Sequence, residues 1–241
     1  MTDFNSAAYR FIIAFGVPLI RAFTKREWRG IEHVPASGPC IVVPNHTSYF
    51  DPLAVGHFLI DGAKRRPRYL GKREIVEMPV LGKFFQAAGQ IPVHRNTTNA
   101  INAYRDAIAA LELGHCIAIY PEGTTTEDPD YWPMMGKTGA ARLALTTGAP
   151  LIPIAQWGPE QVMPNEDGFR FHILPRKTMH VHAGAPVNVD DLRDKPITAE
   201  LLAEATERIM LAITLLLAEI RGEQPPAERY NPRKKRGGAS E

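Results

Sequence analysis

Cysteine is scarce in this chain of 241 residues: there are two, Cys40 and Cys116, and both lie inside apolar, strand-like runs. Two such residues give no disulfide framework, and a reactive thiolate needs an accessible, electropositive site, so each reads as a small core residue. A Gly-x-Ser-x-Gly elbow is also missing, which removes the commonest exposed serine nucleophile. At the N-terminus, Arg10 and Arg21 leave about ten uncharged positions between them, well short of the ~20 residues that a spanning helix requires. No sign of charge dominates, the formal net charge being +2, and the basic residues form no recognisable aromatic-interleaved motif or module of the kind that binds nucleic acid. His180 and His182 alternate along a strand-like run and share one side of it. No third ligand stands at a telling spacing, so they read as structural rather than metal-binding.

What is present alternates between strand and helix signals. Short runs rich in β-branched and apolar residues fall at 40–44, 68–71, 90–93, 116–120, 151–157 and 179–183. Between them, 98–113 is the clearest helix, with Ile101, Tyr104, Ile108 and Leu111 on one stripe and Gly114 as its stop. Another covers 198–221, where Leu201, Leu202, Ala205, Ile209, Ala212, Ile213, Leu216 and Ile220 recur at helical spacing, Thr198 caps the start and Gly222 ends it. The expected fold is α/β, a single domain with a largely parallel or mixed sheet flanked by helices. That domain should occupy 28–222, between an N-terminal helical segment (1–27) and a basic tail (223–241) that reads as disordered.

The run Cys40-Ile41-Val42-Val43 leads directly into Asn45-His46-Thr47-Ser48-Tyr49-Phe50-Asp51, with a histidine and an aspartate five positions apart. His46 therefore stands at a strand end, where side chains face a cleft. An imidazole can take a proton from a hydroxyl if a partner fixes its tautomer and stabilises the imidazolium that forms. Asp51, followed by Pro52 at the start of a helix, could swing back toward the ring and be that partner. The plainer alternative makes Asp51 an ordinary helix cap and His46 a polar residue in a turn.

Three more segments follow: Gly89-Gln90-Ile91-Pro92-Val93-His94-Arg95, then Tyr120-Pro121-Glu122-Gly123-Thr124-Thr125-Thr126, then Ala149-Pro150-Leu151-Ile152-Pro153-Ile154-Ala155. Arg95, at the end of a strand, could grip a phosphate bidentately, and Lys72 could add a point charge to the same anion; otherwise both are solvated surface cations. A glycine at 123 lets backbone N–H groups approach a ligand closely. Glu122 could accept a hydrogen bond from a substrate hydroxyl, or pair with a neighbouring arginine and hold the cleft together.

In this order the four segments resemble the four blocks of the glycerolipid acyltransferase family, the enzymes similar to 1-acylglycerol-3-phosphate acyltransferase. The resemblance covers residues 28–187 and takes in Lys72 and the stretch 136–144. It implies an O-acyltransferase moving a long-chain acyl group from acyl-CoA or acyl-carrier protein to the hydroxyl of 1-acylglycerol-3-phosphate, giving phosphatidic acid. His46 and Asp51 would be catalytic, and Lys72, Arg95, Glu122, Gly123 and Thr124 would bind substrate. A thioester donor is already activated, so direct attack needs a base, a means of stabilising the oxyanion and positioning, but no enzyme nucleophile, metal or cofactor. Thr125 departs from the family pattern, because phosphate-using members commonly carry an arginine there. Lys72, Arg73, Arg95 or Lys137 could compensate, or the acceptor could be glycerol 3-phosphate or another lysolipid. From other classes, a non-catalytic membrane scaffold is disfavoured by the intact His46/Asp51 pair, and a metal-dependent hydrolase by the lack of a ligand constellation.

The N-terminal segment is rich in Phe and Ile between Arg10 and Arg21, with Lys25, Arg26, Trp28 and Arg29 beyond, and so reads as an interfacial anchor. A signal peptide, for which a small-residue cleavage site is lacking, and a helix packed on the core are the alternatives. Lys64, Arg65, Arg66, Arg68, Lys72 and Arg73 make an acid-free basic stretch, and Arg233-Lys234-Lys235-Arg236 lies in the tail. Anionic lipid head groups or an acidic acyl carrier are the expected partners, and the expected location is peripheral, on the cytoplasmic face of a membrane.

Overall fold

A run such as Cys40-Ile41-Val42-Val43, with no polar residue to turn outward, suits a strand covered on both faces. In the computed structural model, which describes residues 7–72, 89–93, 98–165 and 170–232, that run forms β2 (Cys40–Pro44), and every one of its residues is buried. The other strands are β1 (Thr24–Arg29), β3 (Pro67–Lys72), β4 (Ile91–Val93), β5 (Cys116–Ala118), β6 (Leu151–Trp157) and β7 (Lys177–Ala183). They form one sheet in the order β1-β7-β6-β2-β5-β3-β4. Every pairing is parallel except β6 with β7, so the sheet is largely parallel with one antiparallel pair.

The helices are α1 (Ala7–Phe11), α2 (Val17–Phe23), α3 (Asp51–His57), α4 (Thr98–Glu112), α5 (Gly139–Thr147), α6 (Pro159–Val162) and α7 (Ala199–Arg221). Strand alternation assigns them to two faces. Ile41, Val43, Ile117 and Leu151 point to the side covered by α4, α5 and α7, where Leu111, Leu143, Ile209 and Ile213 complete a core. Cys40, Val42, Cys116, Ala118, Ile152 and Ile154 point to the other side, against Val55, Phe58 and Leu59. Each such aliphatic residue contributes roughly 1.5–3 kcal/mol by leaving water. Cys40 and Cys116 are register partners on adjacent strands, both free and both buried.

Four expectations change. The side of α4 that is fully buried is Ala103, Ala107, Ala110 and Leu111; Tyr104 and Ile108 are half-buried and Ile101 is exposed. Small side chains let the helix lie close to the sheet, which moves the larger ones to its margins. β1 was not legible as a strand, since Thr24-Lys25-Arg26-Glu27-Trp28-Arg29 carries charge at an edge, where only Thr24 is buried. The expected boundary between residues 27 and 28 falls inside it. Residues 223–232, assigned to a disordered tail, lie along the domain, with the Met135 N–H donating to Tyr230 O and Arg229 paired with Glu207; 233–241 lie outside the described residues. Finally, two members of the basic stretch, Arg65 and Arg68, are not free surface. Arg65 is buried and donates to three carbonyls, Pro35 O (2.6 Å), Gly38 O (2.6 Å) and Gly114 O (3.2 Å), while Arg68 is buried beside His115.

The N-terminal segment is helical across Gly16, with a π turn at Ile12–Gly16 and Pro18 just after it, in the first turn of α2. Tyr9 and Val17 turn inward, the Tyr9 hydroxyl donating to Pro67 O (3.2 Å), while Phe11, Phe15 and Leu19 remain exposed. No helix among the described residues is long and apolar enough to cross a membrane.

Replacing Arg65 by Met should leave three carbonyls without a donor and destabilise the fold by roughly 2–5 kcal/mol. Lys64→Met, in an exposed neighbour, should leave the urea midpoint near wild type. Equal midpoints for the two variants would mean that Arg65 is surface charge after all.

Candidate active site

Because β2, β3, β4, β5 and β6 run parallel, the segments that leave their carboxyl ends open on one edge of the sheet, the edge where α/β proteins place ligands. His46 follows β2 and Glu122 follows β5. Lys72 closes β3, though its side chain lies outside the description, and β4 ends at Val93, two residues before Arg95, which is not among the described residues.

The turn after β2 is held by a series of polar contacts. Asn45 and Gln156 clip β2 to β6: the Gln156 N–H donates to Asn45 Oδ1 (2.8 Å), Asn45 Nδ2 to Gln156 O (3.1 Å), and Gln156 Nε2 to Asn45 O (2.9 Å). Ser48 Oγ donates to Met163 O (2.7 Å), and Asn165 Nδ2 to Thr47 O (2.8 Å). Asp51, the first residue of α3, is fully buried and folds its carboxylate back over the turn. Its Oδ2 accepts the His46 Nδ1 proton at 2.8 Å and the amides of Thr47 (2.6 Å) and Ser48 (2.9 Å), while Oδ1 accepts the Thr47 hydroxyl at 3.3 Å. Burial pushes this carboxyl up, and the His46 hydrogen bond opposes that push. Asp51 thus pins the turn that precedes its helix and orients a histidine at once, while the helix itself has no side-chain cap.

A carboxylate at Nδ1 places the ring proton there and leaves Nε2 as the basic nitrogen. The His46 side chain is 14% exposed, and its ring lies 4.1 Å from that of Tyr120, nearly parallel to it. This arrangement can accept a proton from a bound hydroxyl.

Glu122 does something the sequence did not reveal. It is buried, and each oxygen accepts a different backbone amide, Oε1 from His46 (2.9 Å) and Oε2 from Met134 (3.0 Å). It is spent on holding the turn of His46 to the loop after β5, is shielded from solvent, and among the described residues forms no ion pair with an arginine. Burial pushes its carboxyl up to about 8, against the pull of those two amides. Gly123 likewise keeps its N–H for Tyr120 O (3.0 Å), closing a turn at φ +73°, a conformation that suits glycine. A Cβ here would also come within 2.7 Å of Lys137 Nζ, so the lysine ammonium lies against this block, near Thr124 and Thr125, which are half-buried.

Three contributors were missed from sequence. Gln156 had a signal, a lone amide within an otherwise apolar strand. Tyr120 was quoted in its block but without a role. Arg221, at the end of α7, lies between the rings of Trp132 and Trp157 (4.3 and 4.5 Å to the centroids), and Trp132 O accepts the Thr126 hydroxyl at 2.7 Å. Nothing local in 198–221 announces that contact. His180 pairs with Glu27, and among the described residues no three His, Cys, Asp or Glu side chains form a group that could hold a metal ion.

An α/β fold with a carboxylate-held histidine at the carboxyl edge of its sheet defines a class of proteins equipped for base-assisted chemistry. Residues 25–157, more than half of the chain, match the family model described as Acyltransferase, and the chain belongs to that family. It is 28% identical over 164 residues to the chloroplastic 1-acyl-sn-glycerol-3-phosphate acyltransferase BAT2 of Brassica napus, covering 67% of this chain and 46% of that protein. An uncharacterized protein of Mycobacterium tuberculosis is 30% identical over 174 residues, covering 67% of this chain and 44% of its own length. The chain therefore spans about half the length of the curated relatives it matches. The crystal structure of the 1-acyl-sn-glycerophosphate acyltransferase PlsC of Thermotoga maritima shares the fold, with a TM-score of 0.66 over 90% of this chain and 81% of that one at 23% identity.

Glu122→Gln can satisfy only one of the two amides and sets its NH2 against the other. It should cost about 1–3 kcal/mol of stability and lower activity with it; wild-type melting would show that the two amides do not depend on Glu122. Glu160, buried in α6 with both oxygens on the Gly158 N–H, supplies a pH test. Burial pushes its carboxyl from 4.5 up to about 7, so the folded state holds a proton that the unfolded chain has released. Its contribution is present below about pH 4.5 and is lost as pH rises through 7, on the order of 3 kcal/mol. Glu160→Gln should flatten that part of the pH–stability curve between about pH 4.5 and 7, and an unchanged slope would refute the assignment.

Proposed function

We propose that the protein is an O-acyltransferase that moves a long-chain acyl group from acyl-CoA or acyl-carrier protein to the hydroxyl of 1-acylglycerol-3-phosphate, giving phosphatidic acid. The observation that carries this reading is the Asp51–His46 pair, oriented through Nδ1 at the carboxyl edge of the sheet, in a chain of the acyltransferase family. His46 Nε2 takes the proton of the acceptor hydroxyl as its oxygen attacks the thioester carbonyl; the C–O bond forms, the C–S bond breaks, and the departing thiolate recovers the proton from the imidazolium. Asp51 keeps the ring oriented and offsets its transient charge.

Direct attack is favoured by the state of the possible nucleophiles. Cys40 and Cys116 are buried in the sheet, and Ser48 is buried with its hydroxyl committed to Met163 O. The donor thioester supplies the activation, so the reading calls for no cofactor. For the acceptor phosphate, Lys137 supports the assignment, since its ammonium lies beside the block in which Thr125 replaces the family's arginine. Lys72 and Arg95 join it in this proposal on sequence position alone, with Thr124. The relatives named as 1-acyl-sn-glycerol-3-phosphate acyltransferases support the same acceptor. Peripheral attachment to the cytoplasmic face of an anionic membrane is part of the reading, supported by the exposed stripe of Phe11, Phe15 and Leu19 beside Arg10 and Arg21.

Purified protein in detergent, given palmitoyl-CoA and either lysophosphatidic acid, glycerol 3-phosphate or a lysolipid without a phosphomonoester, tests this directly. Free CoA and lipid product should appear with lysophosphatidic acid, and His46→Ala should lower the rate by about 10²–10⁴-fold while remaining folded. Lys137→Met should raise KM for the phosphomonoester acceptor and leave kcat close to wild type. Near-wild-type turnover by His46→Ala removes the base, and transfer only to acceptors without a phosphomonoester replaces the substrate.

A further inference from the structure

The exposed large apolar side chains outside the core are unevenly distributed. Phe11, Phe15 and Leu19 form one stripe at helical spacing; Tyr49 and Leu53 stand out at the end of the His46 turn and the start of α3; Phe171 and Leu174 stand out from the loop before β7, Leu174 at 72% exposure. Three contacts tie these places together. The helix α2 packs against α3. Ile173, between the two exposed loop residues, turns inward onto the cluster that holds Phe50 and Ala54. Arg176, two residues after Leu174, donates to Arg21 O (2.8 Å) and Thr24 O (2.7 Å) at the end of α2.

Exposed cations accompany all of this: Arg10, Arg21, Arg26, Arg170 and Arg176. Asp61, the acid that follows α3, is taken up by Arg21 and Arg26. Apolar side chains presented beside exposed arginines match the chemistry of an anionic bilayer, whose head groups meet the cations while the acyl boundary receives the apolar groups. A short amphipathic segment alone gives marginal attachment, and stable anchoring takes a second signal.

We propose that the 171–174 loop, with Tyr49 and Leu53 beside it, is a second membrane-contact element that docks on an anionic bilayer together with the N-terminal stripe. This rests on the peripheral-membrane reading above and adds to it the orientation of the domain. One helical stripe leaves the protein free to tilt about its axis. A second contact on a different element removes that freedom and sets the rim of the His46 turn on the lipid surface, where a lipid acceptor can reach it without leaving the bilayer.

Sedimentation of the full chain with phosphatidylglycerol/phosphatidylcholine vesicles tests the proposal without using acyl transfer. Phe171→Ser/Leu174→Ser should lower the partition coefficient by ~10-fold or more, as Phe15→Ser/Leu19→Ser should, while Leu211→Ser/Leu215→Ser, an exposed pair on α7, should leave it within about twofold. Melting temperatures of all three should match wild type, since the side chains are exposed. Both native cysteines are buried, so Leu174→Cys can also carry an environment-sensitive fluorophore, which should shift to the blue on adding vesicles. Wild-type binding by Phe171→Ser/Leu174→Ser, or an unshifted label on protein that does bind, overturns the loop while the N-terminal anchor stands. Failure of the wild-type chain to bind vesicles overturns both. Loss of a dimer in Phe171→Ser/Leu174→Ser with vesicle binding intact would make this face a contact between copies of the chain, which also overturns it.

Discussion

Asp51 gathers the His46 ring, the Thr47 and Ser48 amides and the Thr47 hydroxyl onto one buried carboxyl group, and much of the site follows from that convergence. Four donors around two oxygens compensate a charge that burial would otherwise make expensive, and they do so only if the turn from His46 to Asp51 takes one shape. That shape fixes which imidazole nitrogen carries the proton. It also requires the turn to be gripped from outside, which is why Gln156, Glu122 and the Met163–Asn165 stretch, from three different segments, all hold it.

Glu122 and Arg221 extend this constraint outward. Glu122 joins the His46 turn to Met134, and the loop so anchored carries Trp132, on which Arg221 rests from the end of α7. The C-terminal helix, which closes one face of the core, therefore also bears on the loop beside the histidine. Stability and site geometry share residues here, so a variant at Glu122 or Arg221 needs a folding measurement beside any rate.

Much of the fold could be read locally. Strands at 40–44 and 151–157 and the cap of α7 at Thr198 were legible, because β-branched runs and capping residues report on their own backbone. β1 was not, since an edge strand needs no apolar pattern. The side of α4 that faces the sheet was legible only in part: Leu111 is core and Tyr104 and Ile108 pack against it, but the buried alanines were missed, because alanine carries little weight in a hydrophobic stripe, yet is what close packing selects. Arg65 looked like surface charge because nothing in Lys64-Arg65-Arg66 distinguishes the member that folds inward.

Sequence alone determined six of the strands and the helices at 98–113 and 198–221, the placement of His46 and Glu122 just past strand ends, and the resemblance of four ordered blocks to an acyltransferase. Each depends on neighbours in the chain or on motif spacing. Tertiary structure decided what the polar groups do once there. Glu122 meets the amide of His46 across 76 residues of chain, and Asn45 meets Gln156 across 111. A buried polar group must find its partner wherever the fold brings one, and no local pattern encodes an encounter at that separation.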